Sequence, residues 1–263
     1  MTTQAPGVLL EVEAHVATLT FDDAPRRNAM TPELGIALRA RVAELRGRDD
    51  VRAVVLTGAG GAFSAGGDLQ MLERLRQSRF EEARAFMLEF YSRYLSILDL
   101  PFPTVAAVEG AAIGAGLCVA LACDLCVVAE DAKLALNFVQ LGLHPGMGAT
   151  WLVPLRAGPQ RASELLLTGR RFDGREAARL GLALEAIPAA QVQARARALA
   201  TTIAANAPLA TRGLKGRLAV DRAGLQRALE EEARLQAESY GSADLGEGLA
   251  AVTARRPPVF QGR

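Results

Sequence analysis

The chain has 263 residues, half of them hydrophobic and 5% aromatic, with 30 basic and 29 acidic side chains and a net charge of +1. That length and apolar fraction are enough to bury a sizeable core built mainly from Ala, Leu and Val, while the near-neutral charge excludes a global field that recruits nucleic acid or a membrane surface. The longest apolar runs break at Gly, Asp or Glu short of the ~18 residues of a membrane span, and the N-terminal MTTQAPGVLLEVEAHV has no basic stretch followed by a long apolar one, so no signal peptide and a cytoplasmic protein are expected.

Two β-like runs come first, VLLEVEA (8–14) and HVATLTF (15–21), the second alternating as a half-buried strand does. Thr31-Pro32 supplies an N-cap and a proline at the first helical position. Leu34, Leu38, Val42 and Leu45 follow at helical spacing and mark a buried face. VRAVVLTG (51–58) reads as a fully apolar strand running into a glycine-rich loop, GAGGAFSAGGDL. A helix over 81–98, a strand TVAAVEG (104–110), a second glycine-rich turn AAIGAG, an apolar helix carrying Cys118 and a strand DLCVVAE (124–130) complete an α/β pattern.

From about 158 onward strand signals almost vanish and Ala- and Leu-rich helical stretches run to the end, broken near Gly174, Pro188, Pro208 and Gly241. Asp244 and Glu247 have the spacing of a capping box for the last helix, which RRPPVFQGR terminates. The expected division is an α/β core over 1–195 and a helical region over 196–263.

All three cysteines, Cys118, Cys123 and Cys126, fall in GLCVALACDLC. Their spacing opens like a plant-type iron–sulfur ligand set, but the fourth cysteine is missing. Buried packing is the simpler reading, and no metal site is expected. Gly58, Gly60 and Gly61 resemble part of a dinucleotide fingerprint, yet Phe63 stands at its last glycine and no Walker lysine follows. SAGGD (64–68) and IGAGL (113–117) each put small residues between an apolar strand and a helix start. Such junctions present backbone N–H groups without intrahelical partners at the positive end of the dipole. Two of them converging would stabilise an oxyanion or enolate; tight-turn formation alone is the other reading of these glycines.

AFSAGGDL and VEGAAIGAGLCVALACDL resemble the two signature segments of the crotonase superfamily, the enoyl-CoA hydratases and isomerases. The likeness extends to RRNAMTPEL, LGLHPGMGATWLVPLRAG, LLLTGRRFDGREAARLGL and SADLGEGLAAVTARRPPVFQGR, and so covers essentially the whole chain. The resemblance implies a spiral of ββα units with a helical C-terminal trimerisation region, giving a homotrimer or homohexamer. It implies an acyl-CoA substrate and no cofactor beyond the coenzyme A that the substrate carries. It also implies an oxyanion hole from the backbone N–H groups of Ala65 and Ala115, with Gly66 and Gly114 shaping the two turns and Asp68 ordering its loop. Arg26, Arg27 and Ala62 match segments that line the CoA site, and Arg255, Arg256 and Phe260 match a tail that approaches CoA.

The family's acid and base glutamates align with Cys118 and Phe138, and the acid of several isomerases aligns with Gly146, so no position keeps its carboxylate. Proton transfer by each such group contributes roughly 10²–10⁴-fold. His144 in GLHPG is the leading substitute by its titration range, with Cys118, Glu109, Glu130 and Asp131 behind it; His15 reads as structural. An enzyme that isomerises, decarboxylates or hydrolyses a thioester with nonstandard acid/base groups is therefore expected. A noncatalytic acyl-CoA-binding protein of the same fold is the alternative.

Overall fold

The computed structural model describes residues 7–263; residues 1–6, part of the segment read as lacking a signal peptide, lie outside the described residues. β1 (Gly7–Glu13) and β2 (Val16–Asp22) form an antiparallel hairpin with Gly7 opposite Asp22. Its two-residue turn, Ala14 and His15, has φ of 48° and 68°, the positive pair that a primed turn demands. His15, expected in a strand, therefore sits in this turn, with Nδ1 2.7 Å from the Asp50 carbonyl oxygen.

α1 (Pro32–Arg46) starts as its sequence predicts: the Thr31 hydroxyl accepts from the Leu34 N–H at 3.2 Å, and Leu34, Leu38, Val42 and Leu45 are buried. Each such side chain contributes about 1.5–3 kcal/mol of burial. β3 (Ala53–Gly58) follows, buried throughout. α2 (Leu69–Arg76) follows the helix start expected after SAGGD, and Asp68 begins it, its carboxylate accepting from the Met71 N–H at 2.8 Å. α3 (Phe80–Tyr94) tightens into a 3-10 turn over Leu95–Asp99, so the helix expected to run to 98 closes in a narrower turn.

Next come β4 (Thr104–Val108), β5 (Ala112–Ile113), α4 (Ala115–Ala122), β6 (Leu125–Ala129), β7 (Leu134–Ala135), α5 (Ala149–Ala157), α6 (Pro159–Thr168), β8 (Arg171–Phe172), α7 (Gly174–Leu180) and β9 (Glu185–Ile187). The chain ends with α8 (Val192–Ala204), α9 (Pro208–Leu218), α10 (Arg222–Tyr240) and α11 (Ala243–Ala254). One six-stranded sheet has the order β1-β2-β3-β4-β6-β9, parallel except for the opening hairpin. A small sheet has the order β5-β7-β8. The chain alternates between them, as β4–β5–α4 and then β6–β7–α5, which is the expected ββα repetition within an α/β fold. β8 and β9 correct the reading that strands end before 158: each is two or three residues long, too short to show a period in sequence.

Residue 195 falls inside α8, and α8 packs against β2, β3, β4 and β6. α10 lies on α3 and α5, and α11 on α2 and the turn at 139–141. The cap of α11 is Ser242, whose hydroxyl accepts from the Leu245 N–H at 3.2 Å. Asp244 and Glu247 instead hold the C-terminal tail: Asp244 accepts from the Gln261 and Gly262 N–H groups at 2.7 and 2.8 Å, and Glu247 accepts from the Val259 N–H at 2.8 Å. Among the described residues, no helix is long and apolar enough to cross a membrane.

Candidate active site

A cavity of about 610 Å³ opens between the two glycine-rich turns, α3 and the C-terminal helices. The first turn is fixed by a web of backbone bonds. Asn28, fully buried, accepts from the Asp23 N–H and donates to the carbonyls of Ala59 and Ala62 at 3.0 and 2.7 Å, which holds the loop after β3. The Ser64 N–H donates to Ala111 O and the Ile113 N–H to Ser64 O, so residues 64–66 run alongside 111–113. Gly66 has φ +88°, and a Cβ there would stand 2.6 Å from the Ile113 carbonyl oxygen. Only glycine allows so close an approach.

Within this web the Ala65 N–H donates to Arg27 O at 2.9 Å, and the Gly66 N–H to Ser64 Oγ at 3.2 Å. Ala65 is therefore removed from the oxyanion pair that the sequence suggests, because its donor is already spent. The next donor, the Gly67 N–H, finds no acceptor among the described residues, and neither does the Ala115 N–H at the first position of α4. Both residues are half-buried and line the cavity. Gly114, with φ 53° and ψ −120°, turns the chain from β5 into α4 and anchors its own N–H on Ala135 O at 2.8 Å.

The three positions that lack carboxylates now have surroundings. Phe138 lines the cavity with its ring about 3.7 Å from where a Gly114 side chain would begin. Cys118 is fully buried and outside the cavity lining, its Sγ 3.9 Å from Gly146 O. Burial, reinforced by the Glu232 carboxylate, pushes its thiol well above the ordinary range, so it is neutral and packed. The other two thiols are also pushed up by burial, to about 12 each. Gly146 has no room for an acid: a Cβ would lie 2.5 Å from the Tyr91 hydroxyl and 2.6 Å from Gln236 Nε2.

His144 is not brought into the cavity. Its ring Nδ1 lies 2.7 Å from Pro145 O, its N–H donates to Ser239 Oγ, and burial lowers its pKa. Glu130 is paired with Arg175 at 2.6 Å, Asp131 is exposed, and neither these nor Glu109 lines the cavity. Among the described residues the one carboxylate in the lining is Asp68, which is occupied in starting α2.

At the rim, Arg26 lines the cavity and is paired with Asp23 at 2.7 Å. Arg27 and Ala62 support the loop through their carbonyl oxygens instead of facing the cavity. Arg256 is bound to Glu247 at 2.5 and 2.7 Å, a pair that holds the glutamate down to about 2, and Arg255 ends α11 in a left-handed conformation. Phe260 and Arg256 line a neighbouring cleft that shares Asn137, Leu141, Arg171 and Val252 with the main cavity.

The residues missed in sequence are Gly67, Arg171 and the buried pair Tyr91 and Gln236. The Tyr91 hydroxyl donates to Gln236 Oε1 at 2.8 Å, and Gln236 Nε2 donates to His144 O at 2.8 Å. No local pattern signals this pair, whose members are 145 residues apart.

Comparison with known proteins identifies the family and the fold. The family model described as enoyl-CoA hydratase/isomerase matches residues 11–263. A provisionally named enoyl-CoA hydratase of Thermus thermophilus is 39% identical over 254 residues, covering 96% of this chain and 100% of that protein. The structure of EchA1_1 from Mycobacterium paratuberculosis superposes with a TM-score of 0.86 at 32% identity, covering 99% of this chain and 100% of the other. An enoyl-CoA hydratase from Mycobacterium avium subsp. paratuberculosis gives 0.85 at 28% identity, covering 97% and 98%. With the crotonase fold in place and the match running almost from end to end, the chain belongs to the enoyl-CoA hydratase/isomerase family.

Proposed function

We propose that this protein is an acyl-CoA thioester enzyme that stabilises a thioester enolate or related oxyanion between the backbone N–H groups of Gly67 and Ala115. The observation that carries the reading is the pair of unspent donors lining one cavity, on two segments that run side by side. A carbonyl oxygen seated between them gains little in the ground state and much more as negative charge develops, where one such donor is worth about 10²–10³ in rate. The Ala115 N–H also opens a helix and carries its positive end.

The acid/base equipment is nonstandard. Phe138 cannot transfer protons, Cys118 is a neutral thiol behind the wall, and His144 faces away. Enolate formation that needs few protein bases suits this lining best, and loss of CO₂ from an activated acyl group generates the enolate by itself. Double-bond migration, hydrolysis and hydration through the same oxyanion hole are the competing reactions. We further propose that the enzyme acts in the cytoplasm as a homotrimer or homohexamer, with residues 196–263 supplying assembly contacts. Supporting this, α9 buries no residue and exposes Leu209, Leu214 and Leu218.

Incubation with enoyl-, 3-enoyl- and malonyl-type CoA thioesters in D₂O, with mass spectrometry of the products, tests the reaction. Turnover of any member, or deuterium uptake, supports an enzyme and names its class. Binding of the thioesters with no exchange at all would favour the noncatalytic alternative, for which the missing carboxylates speak.

A further inference from the structure

Around Tyr91 and Gln236 the cavity wall carries apolar side chains, among them Met87 and Phe90 on the helix of Tyr91, and Leu143 and Met147 on either side of Gly146. Tyr240 also reaches it, but its hydroxyl is spent on Met87 Sδ at 3.3 Å. Tyr91 and Gln236 are the polar exceptions, 1% and 2% exposed. Their hydrogen bonds leave capacity over. The Tyr91 hydroxyl donates to Gln236 and one acceptor position of its oxygen faces the Met147 N–H, which leaves a second lone pair. Gln236 Nε2 carries two hydrogens, of which His144 O takes one. An acceptor and a donor thus stand side by side in an apolar stretch of the cavity wall. The backbone at Gly146 is kept bare of a side chain to admit them.

The pair also lies near the reacting end of an acyl group. Cys118 is one turn along α4 from the Ala115 N–H, ~5 Å of rise. Its Sγ touches Gly146 O, the residue against which the pair packs. A hydrocarbon chain passing the oxyanion donors would leave the pair's remaining valences facing methylenes, which is costly in a buried site. An oxygen carried on the acyl chain where it passes the pair would meet both.

Resting on the acyl-CoA reading above, we propose that the Tyr91–Gln236 pair is the specificity element of this enzyme and selects acyl-CoA thioesters that carry a hydroxyl or carbonyl oxygen on the acyl chain. A substrate hydroxyl donates to the Tyr91 oxygen and accepts from Gln236 Nε2; a carbonyl accepts from Gln236 alone. His144 acts only through its backbone carbonyl, which fixes the orientation of the Gln236 amide.

The test is calorimetric titration of the wild-type protein with butyryl-, 3-hydroxybutyryl-, 4-hydroxybutyryl- and acetoacetyl-CoA, repeated on Tyr91→Phe and Gln236→Leu. At least one oxygenated thioester is expected to bind about tenfold or more tightly than butyryl-CoA. Gln236→Leu is expected to shrink that ratio to about threefold or less for every oxygenated thioester, and Tyr91→Phe to do so for the two hydroxyacyl thioesters. The ratio, unlike absolute affinity, does not move when packing is merely loosened, and Tyr91→Phe keeps the buried ring if Gln236→Leu fails to fold. Equal binding of all four thioesters to the wild type, a hydroxyacyl ratio that survives Tyr91→Phe, or an acetoacetyl ratio that survives Gln236→Leu, overturns the selectivity while leaving the acyl-CoA reading in place. If none of the four binds, the acyl-CoA reading itself falls and this inference falls with it.

Discussion

At position 115 the helix has no use for its own N–H, since the first turn of any α-helix lacks an intrahelical acceptor. Proline is well suited to that position, where its fixed φ matches the helix and its missing donor costs the backbone nothing. Ala115→Pro is therefore expected to keep the far-UV circular dichroism spectrum and lower kcat by roughly 10²–10³-fold on whichever thioester turns over. Unchanged kcat in a folded variant would remove Ala115 from the chemistry. Its partner was less legible. The sequence marks SAGGD as a loop of small residues, but which amide faces the substrate depends on Arg27 O, a neighbour brought in by folding, taking up Ala65. The Tyr91–Gln236 pair was invisible for the same reason, being made by α3 meeting α10. Cys118 carried two readings, packing residue and substitute acid/base; its apolar neighbours are local and visible, and its full burial outside the cavity lining speaks for packing.

Between elements, the contact with most chemical content joins α10 to the start of α5. Glu232, 1% exposed, accepts from the Gly148 N–H at 2.7 Å, the Thr150 N–H at 2.8 Å and the Thr150 hydroxyl at 2.6 Å. α5 has a glycine before its first residue and no side-chain cap of its own, so a carboxylate from another helix does that work. Burial outweighs those hydrogen bonds and raises the carboxyl from its ordinary 4.5 to about 7. Across that window the folded state holds a proton that the unfolded state has released. This component of stability is thus full below 4.5 and lost as pH rises through 7. The shift corresponds to roughly 3 kcal/mol. Between pH values of about 5 and 8, the Tm of the wild type is expected to fall relative to that of Glu232→Gln; parallel pH profiles would show that Glu232 does not titrate there. Elements were legible where a period runs long enough, as in α1 with its Thr31 cap. They were not where two residues suffice to make a strand, as in β8, or where an acid near a helix start turns out to bind the tail, as Asp244 does.

For the whole molecule, the open question of assembly centres on α9. It is tethered where Lys215 Nζ meets Asp124 Oδ2 at 2.5 Å, an oxygen that also accepts from the Thr104 N–H at 2.7 Å, and where the Arg212 guanidinium lies 4.8 Å over the Phe102 ring. Its leucines otherwise face outward, Leu218 at 75% exposure. If they are assembly contacts, Leu214→Asp combined with Leu218→Asp is expected to convert a trimer or hexamer to a species near 27.8 kDa by light scattering. A wild type already at that mass would dismiss the assembly role. The α/β core and helical C-terminal region were legible from the chain as a whole, because β3, β4 and β6 are apolar runs separated by glycine turns. That α8 returns to cover the sheet was not, since an Ala-rich helix looks alike on a core and on an appendage.

The burial of Cys118, Cys123 and Cys126 has a practical side. With every native thiol enclosed and held protonated, maleimide dyes have no thiolate to attack in the folded protein. A single cysteine introduced on the outer surface of α9 would take up label alone, without first stripping the native ones. The protein thus comes ready for fluorescence measurements of whether copies of it meet through that helix.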